Sequence, residues 1–224
     1  MKPVVVLVTA FAIGCGASSL SDDFDGSEDF ESWWSAPITV GDRVSTSISA
    51  SQARSAPRSV HATANDPPGT EHSYRRAELP DATRVVYEFD MALQSVGDGY
   101  AEFGTVEFGD TQGDAVTRTL GIQPSADPMR PELYFVERHF VGGVDQPLTS
   151  LAGTIAPGRW MHVIIDAGLT DASVKIDGTE VVRIDTPEYF SDTPAARVSL
   201  GITSAGRGSM ASLFFDNVEA SASD

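Results

Sequence analysis

Cysteine is almost missing from this chain. Cys15 is the one example in 224 residues, so no intrachain disulfide can form. Basic residues are also scarce, 15 against 32 acidic ones, for a formal net charge of −17. Such a balance repels phosphate backbones and excludes a nucleic-acid partner, although the same excess also serves plain solubility. No stretch carries helical periodicity and no internal repeat is present. Neither a Cys/His zinc spacing nor a glycine-rich phosphate loop nor a GxSxG elbow occurs. His61, His72 and His162 stand apart in no ligand spacing, His162 beside Trp160 on one strand face. What is present is a series of short alternating runs cut by Gly, Pro and Asp turns, with 41% hydrophobic residues. That pattern fits a single all-β domain with a real core.

The long apolar run lies at the N-terminus. Lys2 precedes residues 4–13, which are apolar apart from Thr9; the run is too short to span a bilayer and suits a signal peptide. It ends in Ala12-Ile13-Gly14-Cys15, which resembles the bacterial lipobox. The resemblance implies a signal peptide over 1–14, lipidation of Cys15 and a tether over 15–21. Gly16 after the cysteine resembles the signal for outer-membrane export. The expected location is therefore the cell envelope, with membrane contact only through the lipid anchor.

The folded domain is expected over 22–221. Its first segment, SDDFDGSEDFESWW at 21–34, sets Phe24, Phe30, Trp33 and Trp34 among carboxylates; the aromatics are expected to anchor the chain to the core. Asp22, Asp23 and Asp25 offer clustered oxygens of the kind hard cations take. Strands are expected within 44–64 and at 73–79, with NDPPGT at 65–70 a loop. Residues 84–93 alternate strictly, Val85, Tyr87, Phe89, Met91 and Leu93 on one face, so one face lies in the core. In 100–109, Ala101 and Phe103 share one phase and Val106 and Phe108 the other. That slip at Gly104-Thr105 predicts a β-bulge, which turns Glu102 and Glu107 onto the same outer face. Further strands are expected at 116–123, 132–141 and 148–155. Residues 158–185 hold three strands, the last two joined by an Asp177-Gly178 hairpin that sets Lys175 opposite Glu180. Strands at 197–203 and 212–220 close the chain.

DDFDG at 22–26, GRWMHVIID at 158–166, the strand–DG–strand at 173–184 and FFDNV at 214–218 together resemble the concanavalin A-like lectin/glucanase superfamily, which includes laminin G-like domains. The resemblance implies an all-β, two-sheet antiparallel jelly-roll sandwich with a polar sheet face available to ligands. It also implies three chemistries. A family-sixteen glycoside hydrolase carries paired carboxylates as ExDxxE; Glu102 and Glu107 have that spacing, but Gly104 stands where the aspartate would be. An alginate-lyase type carries RxEL, matched by Arg76-Ala77-Glu78-Leu79, with Tyr134, Arg138, His139 and Gln123 as candidates for proton transfer and carboxylate neutralisation; its QIH-like and C-terminal YxxGxYxQ-like elements are missing. Jelly-roll binding modules hold a structural calcium, here expected of Asp216 with Asp23 or Asp25, against a local backbone-capping role for Asp216 and Asn217.

The expectation is a lipid-anchored envelope protein that binds glycan or another surface ligand without catalysis. Its ligand face would use Tyr100, Glu102, Glu107, Tyr134 and Arg138, with Trp33, Trp34 and Tyr74 as further stacking candidates. A divergent glycan-active enzyme working through Glu102 and Glu107 is one alternative, and a structural or adhesive envelope protein is the other. No cofactor beyond structural calcium is expected.

Overall fold

Strict alternation decides the centre of the molecule. In the computed structural model, which describes residues 18–25, 33–55, 57–110, 113–127, 129–141 and 144–224, Val85, Tyr87, Phe89, Met91 and Leu93 are all fully buried on one face of a single long strand. The described residues form fifteen strands: β1 (Ser18–Asp22), β2 (Ile38–Val40), β3 (Val44–Ser49), β4 (Ser59–Asn65), β5 (Glu71–Leu79), β6 (Arg84–Ser95), β7 (Ala101–Gly109), β8 (Ala115–Gln123), β9 (Glu132–Val141), β10 (Val144–Thr154), β11 (Trp160–Gly168), β12 (Asp171–Ile176), β13 (Thr179–Asp185), β14 (Ala195–Ala205) and β15 (Met210–Ser223).

They form two antiparallel sheets. The eight-stranded sheet runs β13-β12-β11-β6-β15-β4-β3, with β1 also on β15; the seven-stranded sheet runs β10-β9-β8-β7-β14-β5-β2. The inner faces pack as a sandwich. Phe89 and Phe215 from one sheet meet Phe103 from the other, with Phe215 5.8 Å from each. The Tyr87 hydroxyl crosses the core to donate to the Ser199 carbonyl at 3.3 Å.

Turn chemistry fixes the register of the β12–β13 hairpin. Asp177 and Gly178 both have positive φ, 49° and 79°, as a two-residue primed turn requires. Lys175 does lie opposite Glu180, but Glu180 spends its carboxylate on Arg183, at 2.7 Å.

Several boundaries differ from the expectation. Ser18–Ser21, assigned to the tether, form β1 with Asp22 and pair with β15, Ser18 opposite Ala222. The edge strand β10 begins at Val144, not at 148. Trp34 is buried and donates its Nε1–H to Asp22 Oδ2 at 3.0 Å, and Phe24 joins the core. Trp33 turns outward, 41% exposed, because its neighbour takes the inward position in a bridge to Ala77. Phe30, Cys15, the signal segment and the first tether residues lie outside the described residues.

One end of the core is not apolar. Arg118 on β8 and Glu137 on β9 face each other in the inward phase, and both are fully buried. Arg118 Nε donates to Glu137 Oε2 at 2.6 Å, Nη1 donates to the Gly168 carbonyl across the sandwich, and Nη2 reaches the Thr186 hydroxyl at 3.3 Å. The other Glu137 oxygen is bonded to the His139 ring, which lies 4.0 Å from the Tyr189 ring. A buried ion pair of this kind survives only when its remaining hydrogen-bonding capacity is also met.

Candidate functional site

The bulge expected in β7 is present. Pairing with β8 slips between Phe103 and Thr105, where Gly104 adopts φ +60°. A side chain there would set its Cβ 2.7 Å from Phe89 Cζ, so glycine is required both by conformation and by the close approach to the core. The slip keeps Phe103 and Val106 inside and turns Glu102, Thr105 and Glu107 onto the outer face of the seven-stranded sheet. There they line a groove of about 390 Å³.

Neighbouring strands supply the rest of the groove. Thr117 and Thr119 come from β8, Arg138 and Phe140 from β9, Asp145 from β10, Ser199, Thr203 and Ser204 from β14, and Tyr74 and Arg76 from β5; Tyr100 closes one side. The floor is a hydroxyl array. Thr105 Oγ1 lies 2.9 Å from Thr119 Oγ1 and 3.2 Å from Thr203 Oγ1.

Each glutamate is capped by guanidinium. Arg138 forks onto Glu102, Nη1 to Oε2 at 2.8 Å and Nη2 to Oε1 at 2.7 Å, and the Tyr134 hydroxyl donates to Glu102 Oε1 at 3.3 Å. Glu107 accepts from Arg197 at 2.7 Å and from Arg76 at 3.3 Å. Arg197 also bonds Glu78 at 2.8 Å, and the Arg76 guanidinium lies 5.8 Å from the Tyr74 ring centre. Burial pulls the Arg138 pKa down, but the hydrogen bond and charge of Glu102 outweigh it and the net shift is upward. Burial, then the Glu102 charge, pushes the Tyr134 phenol far above its ordinary value, so this tyrosine is a proton donor to the carboxylate and not a base at neutral pH.

The structure thus brings Tyr100, Glu102, Glu107, Tyr134 and Arg138 to one face, Tyr134 lying beneath the groove wall. Although it lies on the outer face, Glu102 is shielded from water, with its side chain 5% exposed. The lyase candidates separate. Arg138 faces the groove and Tyr134 reaches Glu102 from the same side of β9, whereas His139 occupies the opposite phase of β9 inside the sandwich, and Gln123 bonds Glu132 at 3.0 Å. Of the stacking candidates, Tyr74 and Tyr100 line the groove and Trp34 does not. Sequence reasoning missed Arg197 and the hydroxyl floor; the outward phase of 197–203 was the available signal for Arg197 and Thr203, and that of 116–123 for Thr119.

The aspartates considered for calcium have other partners. Asp216 Oδ2 accepts from the Arg54 and Ser55 backbone N–H groups at 2.7 and 2.9 Å and from the Ser55 hydroxyl at 3.2 Å. Its Oδ1 accepts from the Asn217 N–H at 2.9 Å. Burial raises the Asp216 pKa, with these donors pulling the other way. Asp23 accepts from the Asp25 N–H at 3.1 Å, and Asp25 from the Arg58 N–H at 3.4 Å. Among the described residues no group of three or more His, Cys, Asp and Glu side chains is gathered as a metal site. Asp216 is surrounded by hydrogen-bond donors, which do not fit a cation.

A larger cleft of about 580 Å³ lies at the end of the sandwich, lined by Asp81, Asp110, Asp114, Tyr189 and Asp192. It shares Arg197 with the region of the groove but contains none of the sequence candidates.

Neither a family model nor a curated protein sequence matches the chain. Solved structures do. The cellulose-induced protein Cip1 superposes with a TM-score of 0.61 at 17% identity, covering 90% of this chain and 96% of that one. A mixed-linkage-glucan GH16 protein of Bacteroides ovatus, solved with a G4G4G3G product, gives 0.63 at 8% identity, covering 90% and 98%. The kappa-carrageenase of Pseudoalteromonas carrageenovora, solved with an oligosaccharide of kappa-carrageenan, gives 0.52 at 11% identity, covering 96% and 98%. At these identities the likeness establishes the fold, the concanavalin A-like jelly roll.

Proposed function

We propose that this jelly-roll protein binds a carbohydrate in the groove of its seven-stranded sheet and does not cleave it. The observation that carries this reading is the capping of both glutamates. Retaining hydrolysis needs one carboxylate free to attack and a second that carries a proton to the leaving group. Glu102 has both oxygens filled by the Arg138 fork and Tyr134, and Glu107 has both filled by Arg76 and Arg197. Neither is presented as a nucleophile or as an acid. A sandwich whose structural neighbours include proteins solved with glucan and carrageenan oligosaccharides makes a glycan the natural ligand for a groove of hydroxyls and tyrosines.

The envelope location belongs to the same proposal. Cys15, following the apolar run at 4–13, would carry the lipid and the sandwich would project from the membrane surface. Labelling cells with a radiolabelled fatty acid should mark the wild-type chain and not Cys15→Ser; equal labelling of both would sink the anchor.

The binding reading is tested by titrating purified protein with a panel of soluble oligosaccharides, followed by chromatography of each mixture. Saturable binding with the sugar recovered intact is expected, weakened at least tenfold in Tyr100→Ala. Shortened products that vanish in Glu102→Gln or Glu107→Gln would establish the hydrolase alternative instead. Absence of binding across the panel would favour a structural or adhesive role.

A further inference from the structure

Charge bookkeeping in the groove narrows the class of glycan. Resting on the carbohydrate-binding reading above, we propose that the groove selects uncharged, hydroxyl-rich saccharides and rejects uronate-bearing and sulfated ones.

A site for acidic sugars must present guanidinium or ammonium groups with hydrogen-bonding capacity to spare. Here the cations are engaged with carboxylates: even Arg76, whose Nε has no partner among the described residues but is buried, gives its Nη2 to Glu107 at 3.3 Å. The groove lining holds Arg76 and Arg138 against Glu102, Glu107 and Asp145, an excess of one negative charge. Arg138 is forked on Glu102 and has Asp145 3.8 Å from its Nε. Arg197, just beyond the lining, is bridged between Glu78 and Glu107. A carboxylate or sulfate taking the Nη1–Nη2 fork of Arg138 would have to displace Glu102, stranding an ion whose side chain is 5% exposed. The chain around it carries −17, which lowers the local concentration of any polyanion before contact.

The other polar groups are hydroxyls, bonded in part to one another, Thr105 with Thr119 and Thr203, and Ser204 with Tyr100. Thr105, Thr117, Thr119, Ser199, Thr203 and Ser204 line the groove with hydroxyls, each able to donate and accept, as a sugar hydroxyl does. Tyr74, Tyr100 and Phe140 add ring surface at the sides, and Phe140 is 36% exposed. Neutral pyranose units offer matching hydroxyls and apolar C–H faces and ask for no spare cation.

The test compares purified full-length protein against neutral oligosaccharides (mixed-linkage β-glucan, xylan and galactan fragments) and anionic ones of equal length (alginate and kappa-carrageenan fragments). Neutral sugars are expected to bind at least tenfold tighter, with an affinity unchanged between 20 and 500 mM salt (about 20 and 4 Å screening lengths). Asp145→Asn, at a half-exposed position that leaves the core intact, should narrow the preference, and Glu102→Gln, which releases Arg138, should raise alginate binding at least tenfold. Anionic sugars binding as well as neutral ones, or affinity for a neutral sugar falling with salt, would overturn the inference while leaving carbohydrate binding in place. Binding to no sugar in either set would overturn the reading on which it rests.

Discussion

Two arginine–glutamate pairs sit on opposite faces of the same stretch of sheet and do different work. Glu102–Arg138 joins β7 to β9 on the outer face, with the arginine side chain 26% exposed. Arg118–Glu137 joins β8 to β9 on the inner face, with both side chains at 0%. The outer pair borders a groove and can respond to a ligand. The inner pair has every direction filled, by Gly168, Thr186 and His139, and ties one sheet to the other. Identical chemistry borders an open groove on one face and ties the sheets together on the other, because water reaches only one of them.

The largest contrast should come from cutting each pair once. Glu137→Gln leaves a buried guanidinium without its counter-charge and should cost about 3–5 kcal/mol, read as an early urea midpoint. The double variant Arg118→Met/Glu137→Leu should recover at least about 2 kcal/mol of that loss, since removing both charges also removes their desolvation cost. No recovery would mean that the bonds to Gly168 and Thr186, rather than charge, are what matters. Next comes the bulge that aims the outer pair. Gly104→Ala places a Cβ against Phe89 in a left-handed conformation and should cost about 2 kcal/mol; an unchanged midpoint would mean that the strand re-registers. Glu102→Gln should cost only about 1 kcal/mol, because Arg138 can turn to water, while its sugar selectivity changes. At the bottom of the scale, Glu180→Ala breaks the surface contact to Arg183 and should leave the melting temperature where it was.

The sequence made the strands legible and the pairs illegible, for a physical reason. Alternation is local: it exposes the inward face of β6, the phase slip at Gly104 and the Lys175–Glu180 register, each within a dozen residues. Partner choice depends on strand order. Glu107 meets Arg76 and Arg197, 31 and 90 residues away, because β14 lies between β7 and β5, a placement no local pattern encodes. Arg118 and Glu137 could have been flagged from their inward phases, among Val116, Leu120 and Ile122 on one strand and Leu133 and Phe135 on the next. The Asp216 reading failed to separate two uses of one side chain. A carboxylate beside a strand end serves backbone donors as readily as a cation, and only the return of residues 54–55 to that spot decides between them.

The pairing of β1 with β15 has a mechanical consequence. Ser18 lies opposite Ala222 and Asp22 opposite Val218, so the outer ends of the two strands sit side by side. A force drawing those ends apart would load one pair of backbone bonds at a time, in the manner of a zipper, and not all rungs together as in shear. The first strand should therefore peel at low force while the sandwich behind it stays shut, giving the sheet an extensible leader of a few residues that reseats when tension falls.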